Sequence, residues 1–372
     1  MKVLIVHEIF LPEFSGGGER IMFGLAKSLK EKGIEVEVIT SGNQKIKEYQ
    51  GIKTVRIWFP GKILRRYFFN FLAIPFILKE GRKFDVIQTT TYNAAFPAWI
   101  AAKLLKKPVV CIFHGIYGEK WKYIQPEIFE RLRFLSFLSI LFSQMFEKFV
   151  AKLNFDRLIV LSNFSKKVLR KVRGNLKNCE MVIPGIKKKF KRRKKDPYVL
   201  FVGRLEKQKG FDILLKVAKK LPLIKFKIVG KPKSWIKEIP FNCKILGRVS
   251  EKKLKNLYEK ALVFFLPSRA ETLGLVILEA MAAGCVIVST VPLDYRGFKI
   301  KEGESVESIA KKIEFLIKNK KLASEWGEEN RKIVRKYSWE KFVEKMIKIY
   351  KEILKGRDRD LNPGLRLHRP AL

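Results

Sequence analysis

The feature that most limits how this chain can fold is its regular alternation of short apolar runs with segments of helical spacing. Val3–Val6, Val36–Thr40, Thr54–Trp58, Val86–Gln88, Val109–Phe113, Leu158–Leu161 and Met181–Ile183 read as strands in the first half. Tyr198–Val202, Phe226–Val229, Cys243–Leu246, Val263–Leu266 and Cys285–Val288 read the same way in the second. Between them lie amphipathic stretches. Glu19–Lys32 places Ile21, Leu25 and Leu29 on one helical face, and Gly33 stands where a helix ends. Phe211–Leu221, Glu251–Lys260 and Trp339–Leu354 are further helical segments. Strands separated by helices pair in parallel, with the helices covering both sheet faces. The expected fold is α/β, with two Rossmann-like doubly wound domains facing across a cleft.

A change of composition divides the two series. Residues 187–195, Lys-Lys-Lys-Phe-Lys-Arg-Arg-Lys-Lys, hold one apolar residue and suit a linker. The expected organisation is a first domain over 1–186, a basic linker over 187–196 and a second domain over 197–337. A helix over 338–355 follows, and then a tail over 356–372 without periodicity, expected to be disordered.

With 372 residues and 47% apolar content, two cores of ordinary size are within reach. The four cysteines, Cys111, Cys179, Cys243 and Cys285, form no CxxC pair, which argues against a zinc site or a disulfide framework and for a reducing compartment. The N-terminal residues read directly as a strand, without a signal-peptide layout, and no apolar stretch reaches the ~18 residues of a spanning helix. The net charge is +42, from 78 Lys and Arg against 36 Asp and Glu. A Lys-rich surface of the thermophile kind accounts for the amount of charge but not for its one-sidedness, so a polyanion or an anionic membrane is the expected partner. Two stretches mix bases with aromatics, 62–78 and 130–142. Each suits a bilayer interface or, alternatively, a core helix.

The most specific segment runs from Pro267 to Ser289. A buried strand leads into a small-residue turn holding Glu271, a short helix over Leu273–Ala283 carries Glu279, and a second strand follows. Such a unit places the turn and the helix N-terminus at the carboxyl edge of a parallel sheet, where doubly wound folds bind ligands. Acidic side chains there suit hydroxyl-rich ligands, and the helix N-terminus suits phosphate. Gly203-Arg-Leu-Glu-Lys-Gln-Lys-Gly210 follows the first strand of the second series, so Arg204 and Lys209 are candidates for a diphosphate. Gly16-Gly-Gly18 holds the equivalent place in the first series but lacks the spacing of a dinucleotide loop, since position 21 is Ile21. His114 follows the strand Val109–Phe113 and is a candidate for contact with a reacting centre, more so than His7. His368 and Asp358-Arg-Asp360, the latter shaped like a metal-binding DxD, fall in the tail and are discounted.

Together these residues resemble the GT-B retaining glycosyltransferases of family 4, from Gly16-Gly17 to Tyr337-Ser-Trp-Glu340. The pair Glu271 and Glu279 with Gly284 is the most specific element, and Gly203-Arg204, Lys209-Gly210 and His114-Gly115 follow in order. The resemblance implies that Arg204 and Lys209 bind the donor diphosphate and that Glu279 bonds the ribose. Glu271 would meet the sugar hydroxyls with the amides around Thr272, Leu273, Gly274 and Leu275. It places His114 beside the anomeric carbon, Gly16 and Gly17 at the diphosphate and acceptor, and the acceptor on the first domain. The final helix would cross back to that domain. It implies no cofactor and no metal, the nucleotide-sugar being a substrate. Two departures stand out: Pro184-Gly185 replaces a common Asn-Gly, and the loop after the second glutamate is compressed into Val291–Gly297.

The expected function is transfer of a sugar, with retention, from a UDP- or GDP-sugar to a glycan or lipid-linked acceptor at the cytoplasmic face of a membrane. A GT-B epimerase or phosphorylase is the nearer alternative. A basic nucleic-acid-binding protein is the non-enzymatic one, although no nucleic-acid-binding module is present, and nucleic acid is not the expected partner.

Overall fold

The computed structural model describes the chain except residues 14–15, 60–61, 91, 116–117, 124–132, 272 and 362–372. Ser15, Thr272 and His368, together with residues 130–132 of the second basic–aromatic stretch, lie outside the described residues. The chain forms two compact units. The first comprises the described residues of Met1–Ile116, Pro126–Pro184 and Glu340–Leu372; the second comprises those of Tyr117–Gln125 and Gly185–Trp339.

The first unit is built on a sheet of eight strands among the described residues: β1 Lys2–Ile9, β2 Glu35–Ser41, β3 Glu48–Tyr49, β4 Ile52–Ile57, β5 Val86–Thr90, β6 Val109–Phe113, β7 Arg157–Val160 and β8 Cys179–Met181. Their order is β3-β4-β2-β1-β5-β6-β7-β8, and only the β3–β4 pair is antiparallel. The short β3, absent from the sequence reading, is a hairpin appendage on β4. The second sheet has six described strands, all parallel: β9 Asp196–Val202, β10 Lys225–Val229, β11 Cys243–Ile245, β12 Ala261–Leu266, β13 Val286–Ser289 and β14 Gly297–Lys299, in the order β11-β10-β9-β12-β13-β14. Central strands are covered on both faces, which is why they read as unbroken apolar runs rather than as alternations. Val3 to Val6 and Val263 to Leu266 are fully buried, each such side chain contributing about 1.5–3 kcal/mol of transfer free energy.

Both sheets reverse direction once. The chain winds outward from β1 through β2 and then returns to place β5 against β1; in the second sheet it returns to place β12 against β9. At these switch points the two neighbouring connections leave the sheet in opposite directions and open a crevice at the carboxyl ends of the strands. The loops after β9 and β12 in one unit, and after β1 and β5 in the other, are therefore the places where each fold can hold a ligand.

Several boundaries differ from the sequence reading. The first helix spans Gly17–Glu31, so Gly17 and Gly18 form its first turn and only Gly16 caps it. The helix carrying Glu279 spans Leu275–Ala282, because Gly274 takes a left-handed backbone (φ +67°) that cannot continue a helix. The final helix runs over Trp339–Leu361, so residues 356–361, expected to lack structure, are helical. Residues 62–78 do not make one helix; they fall into Lys62–Leu72 and Ile74–Gly81, with Pro75 in the first turn of the second.

The basic run 187–195 is held down on the second unit. Glu259, almost fully buried, accepts from the Lys191 amide (2.7 Å) and from Arg193 (3.0 Å), and Arg192 pairs with Glu328 at 3.0 Å. Lys195 reaches inward to the Ala283 carbonyl at 2.7 Å. There it meets Arg331, which donates to the Ala282 and Ala283 carbonyls at 2.8 and 2.6 Å. Two cations thus complement the carboxyl end of the helix that bears Glu279, where the backbone dipole is negative. Replacing Arg331 by Met should strip these donors from buried carbonyls and lower unfolding stability by roughly 2–4 kcal/mol. Denaturant unfolding of the variant measures this, and a change within error of zero would refute the capping role.

Candidate active site

At the switch point of the second sheet, the loop after β9 and the loop after β12 are joined backbone to backbone. The Gln208 carbonyl accepts from the Arg269 amide (2.9 Å) and the Ser268 hydroxyl (3.1 Å), and the Gln208 side chain returns a bond to the Ala270 carbonyl (3.3 Å). Arg269 grips Asp212 through two bonds of 2.6 and 2.7 Å. Gly210 makes this approach possible. Its backbone is left-handed (φ +69°), and a Cβ there would lie 1.9 Å from the Pro267 carbonyl oxygen, so no other residue fits.

The seam carries Lys209 to Glu271, and the two form an ion pair with both side chains largely buried. Arg204 is set differently: half exposed, it pairs with Glu206 at 2.8 Å and donates to Gln208 at 2.6 Å. Each candidate cation therefore already has a carboxylate beside it. Leu273 and Gly274 are buried, and Leu275 opens the helix. No side-chain cap bond is made at Gly274, and the Ile277 amide bonds to the Gly274 carbonyl at 2.8 Å.

Glu279 lies one turn into the helix and is buried. Its Oε1 meets the Lys188 ammonium at 2.9 Å, whereas its Oε2 is buried without a hydrogen-bond partner. Lys188 also pairs with Glu251 at 3.0 Å. Burial lowers the Lys188 pKa, but the Glu279 and Glu251 carboxylates outweigh burial and raise it overall, so the lysine stays charged.

At the switch point of the first sheet, His7 and Glu8 end β1. Glu8 accepts from Asn93 at 2.8 Å and faces Arg65 at 3.6 Å. His114 sets its Nε2 3.0 Å from the Thr90 hydroxyl at the end of β5. Gly18 brings the helix start against both histidines: a Cβ there would lie 3.5 Å from His114 Nε2 and 3.9 Å from His7 Nε2. His7 is buried, its Nδ1 accepts from the Ile9 amide at 3.2 Å, and its Nε2 has no partner.

Family models match both units of the chain. The model of glycosyltransferase family 4 matches residues 15–188, and that of the group 1 glycosyl transferases matches residues 182–333. The chain belongs to the group 1 glycosyltransferases. It is 28% identical to an uncharacterized glycosyltransferase of Methanocaldococcus jannaschii, over 95% of this chain and 99% of that one. It is 26% identical to the sulfoquinovosyl transferase SQD2 of Arabidopsis thaliana, over 84% of this chain and 66% of that one. Among solved structures it resembles sucrose-phosphate synthase from Thermosynechococcus elongatus, with a TM-score of 0.78 at 17% identity over 95% and 99% of the two chains. It also resembles Anabaena HepE in complex with UDP-glucose, with a TM-score of 0.72 at 18% identity over 95% and 100%. These likenesses establish the GT-B fold.

Within this glycosyltransferase, the second unit sets Arg204, Lys209 and Glu271 on the joined loops, with Leu273, Gly274 and Leu275 following and Glu279 one turn into the helix; in the first unit Gly16 and Gly17 start the helix whose Gly18 lies against His7 and His114. Lys188 was missed. It stands inside a run of lysines that reads as solvated charge, and only the fold shows which of them turns inward. Glu206, which engages Arg204, was missed because i,i+2 neighbours in an irregular loop give no periodic signal. The Asp358-Arg-Asp360 backbone is helical, at the far end of the last helix.

His7 gives a pH signature. Burial pushes its pKa from 6.5 down to about 4. Between those values the unfolded chain binds a proton that the folded chain refuses. Stability is therefore whole above pH 6.5 and falls by about 3 kcal/mol on acidification through this window. Denaturant unfolding across the window should show a shallower loss for His7→Gln; identical slopes would assign the acid sensitivity to other groups.

Proposed function

We propose that this glycosyltransferase moves a sugar from a nucleotide-diphosphate donor of the UDP or GDP type to an acceptor hydroxyl, with retention of configuration. The observation that carries this reading is the seam at the switch point of the second sheet, which holds Arg204 and the Lys209–Glu271 pair next to the loop that leads into the helix bearing Glu279, in a chain of this family. The donor diphosphate lies against Arg204, Lys209 and the uncapped helix start at Leu275; backbone amides and cations are the groups that stabilise charge on phosphate. Glu279 offers its unpartnered oxygen to the ribose, and Glu271 meets the sugar hydroxyls. In the first unit, Gly16 and Gly17 border the diphosphate and acceptor, and His114 contacts the transferred sugar. The reading has HepE in its favour, whose complex holds UDP-glucose.

In the reaction, the acceptor oxygen bonds to the anomeric carbon as the bond from that carbon to the diphosphate oxygen breaks. The electron pair leaves on the diphosphate and the acceptor proton is released. Catalysis rests on positioning and on stabilising the charge that develops on the leaving group. Lys209 must then exchange Glu271 for phosphate, which frees Glu271 for the sugar. Because Arg204, Lys209 and the helix amides supply the countercharge, we read the transfer as independent of cofactor and metal.

The +42 charge supports an acceptor that is lipid-linked and presented on an anionic membrane surface, with the enzyme peripheral on the cytoplasmic face. No described helix is long and apolar enough to cross a membrane.

The test is a panel of labelled UDP- and GDP-sugars incubated in EDTA, with and without lipid-linked acceptor, followed by configurational assignment of the product. Expected is labelled lipid product of retained configuration. Glu279→Ala and Lys209→Ala should each lower turnover at least 100-fold with an unchanged circular dichroism spectrum. Release of an isomerised free nucleotide-sugar, or full turnover in either variant, would overturn the assignment.

A further inference from the structure

The first unit exposes an apolar surface that glycosyl transfer does not use. On the helix Arg133–Lys152, Phe137, Leu138, Leu141, Phe142, Met145 and Phe149 are all exposed, Phe137 and Met145 by more than 60%. They recur at the three- and four-residue spacing of one helical face. Phe68, Phe71 and Leu72 are exposed on the helix Lys62–Leu72. Phe96, on the helix between them in space, joins the two sets: its ring lies 6.3 Å from Phe71, 5.8 Å from Phe146 and 5.8 Å from Phe149. The apolar surface is therefore continuous across three helices rather than scattered.

Charge decides what covers it. Lys148 and Lys152 continue the exposed face after Leu141 and Met145, at the same helical spacing, and both are exposed. The one acid of this helix, Glu147, is buried on the opposite side. A second copy of a chain of charge +42 would bring like charges together across the interface. An anionic bilayer meets both needs, with headgroups for the lysines and an acyl boundary for the rings.

We propose that the face formed by Phe68, Phe71, Phe137, Phe142, Met145 and Phe149, bordered by Lys148 and Lys152, seats the protein on the surface of an anionic bilayer. This deepens the lipid-acceptor reading by naming the docking face, yet its test needs neither donor nor acceptor, so either can fail alone. Co-flotation with phosphatidylglycerol vesicles, compared with pure phosphatidylcholine, is the measurement. Expected is binding to the anionic vesicles that falls at least tenfold in Phe137→Ser/Phe142→Ser/Met145→Ser, and that weakens and becomes less salt-sensitive in Lys148→Glu/Lys152→Glu, both with wild-type melting temperatures. Undiminished binding of the triple variant would overturn the proposal. So would an unbound wild type, or a wild-type dimer that the triple variant dissociates.

An independent observation concerns Glu279. Its carboxylate is buried, one oxygen is taken by Lys188 and the other has no partner. A buried carboxylate without a countercharge is costly, and one held by a single cation at a fixed oxygen keeps the other oriented. We infer that Lys188 is a positioning residue that fixes Glu279 for its ligand, which rests on Glu279 meeting the donor. Lys188→Met and Lys188→Gln should raise the donor KM roughly tenfold with a smaller change in kcat, and Lys188→Arg should restore much of the loss. An unchanged KM, or Arg and Met variants that cannot be told apart, would refute it. If Glu279→Ala itself leaves KM unaltered, the donor reading fails instead.

Discussion

The contact on which the second unit's site depends is the approach of two backbones, Gly210 against Pro267. A side chain as small as a methyl group cannot enter there, since the carbonyl oxygen stands 1.9 Å from where it would sit. With the gap closed, the Gln208 carbonyl reaches the Arg269 amide, and the loop after β9 is locked to the loop after β12. Everything with chemistry hangs from this seam: Arg204 and Lys209 on one side, Glu271 and the Leu275 helix start on the other. The site is thus placed by backbone hydrogen bonds at a sheet switch point, a rigid support of the kind that electrostatic catalysis requires.

Charge is distributed with the same economy. The run 187–195 looks in sequence like a free polycation, yet Glu251, Glu259, Glu279 and Glu328 each engage part of it. Those paired lysines and arginines fasten the run to its own unit. By contrast, Lys148 and Lys152 stand exposed beside exposed aromatics. The local partners of each cation, rather than the sum of +42, decide which can serve an external anion.

Much of this was legible in the sequence. Strands buried on both faces announce themselves as continuous apolar runs, and eleven of the twelve expected ones correspond to strands, whereas Met181–Ile183 meets β8 only at Met181. Residues at the ends of such strands, Arg204, Glu271 and His114, were therefore placed correctly at sheet edges. What stayed hidden depends on long-range partners or on single backbone angles. Gly274 shortens a helix that apolar spacing alone would begin at Leu273. Lys188 resembles its neighbours until Glu279 approaches from 91 positions along the chain. The strand β14 is three residues long, and β3 only two, both too short for any period to show.

The two glutamates that dominate the sequence finally differ in kind. Both are acids near one helix start, but Glu271 pairs with Lys209 in a loop, whereas Glu279 is buried on a helix whose far end is complemented by Arg331 and Lys195. The Lys209–Glu271 pair sits in a loop and keeps some exposure on both members, so it can exchange either one for a ligand. A buried pair cannot, because separating it strands a charge. Glu271 is therefore suited to respond as the ligand arrives, and Glu279 to define where it arrives. The two carboxylates are not paired with each other: Glu271 is matched by Lys209 and Glu279 by Lys188. The chemistry these acids support is recognition of hydroxyls around a leaving group whose charge Arg204 and Lys209 are placed to meet.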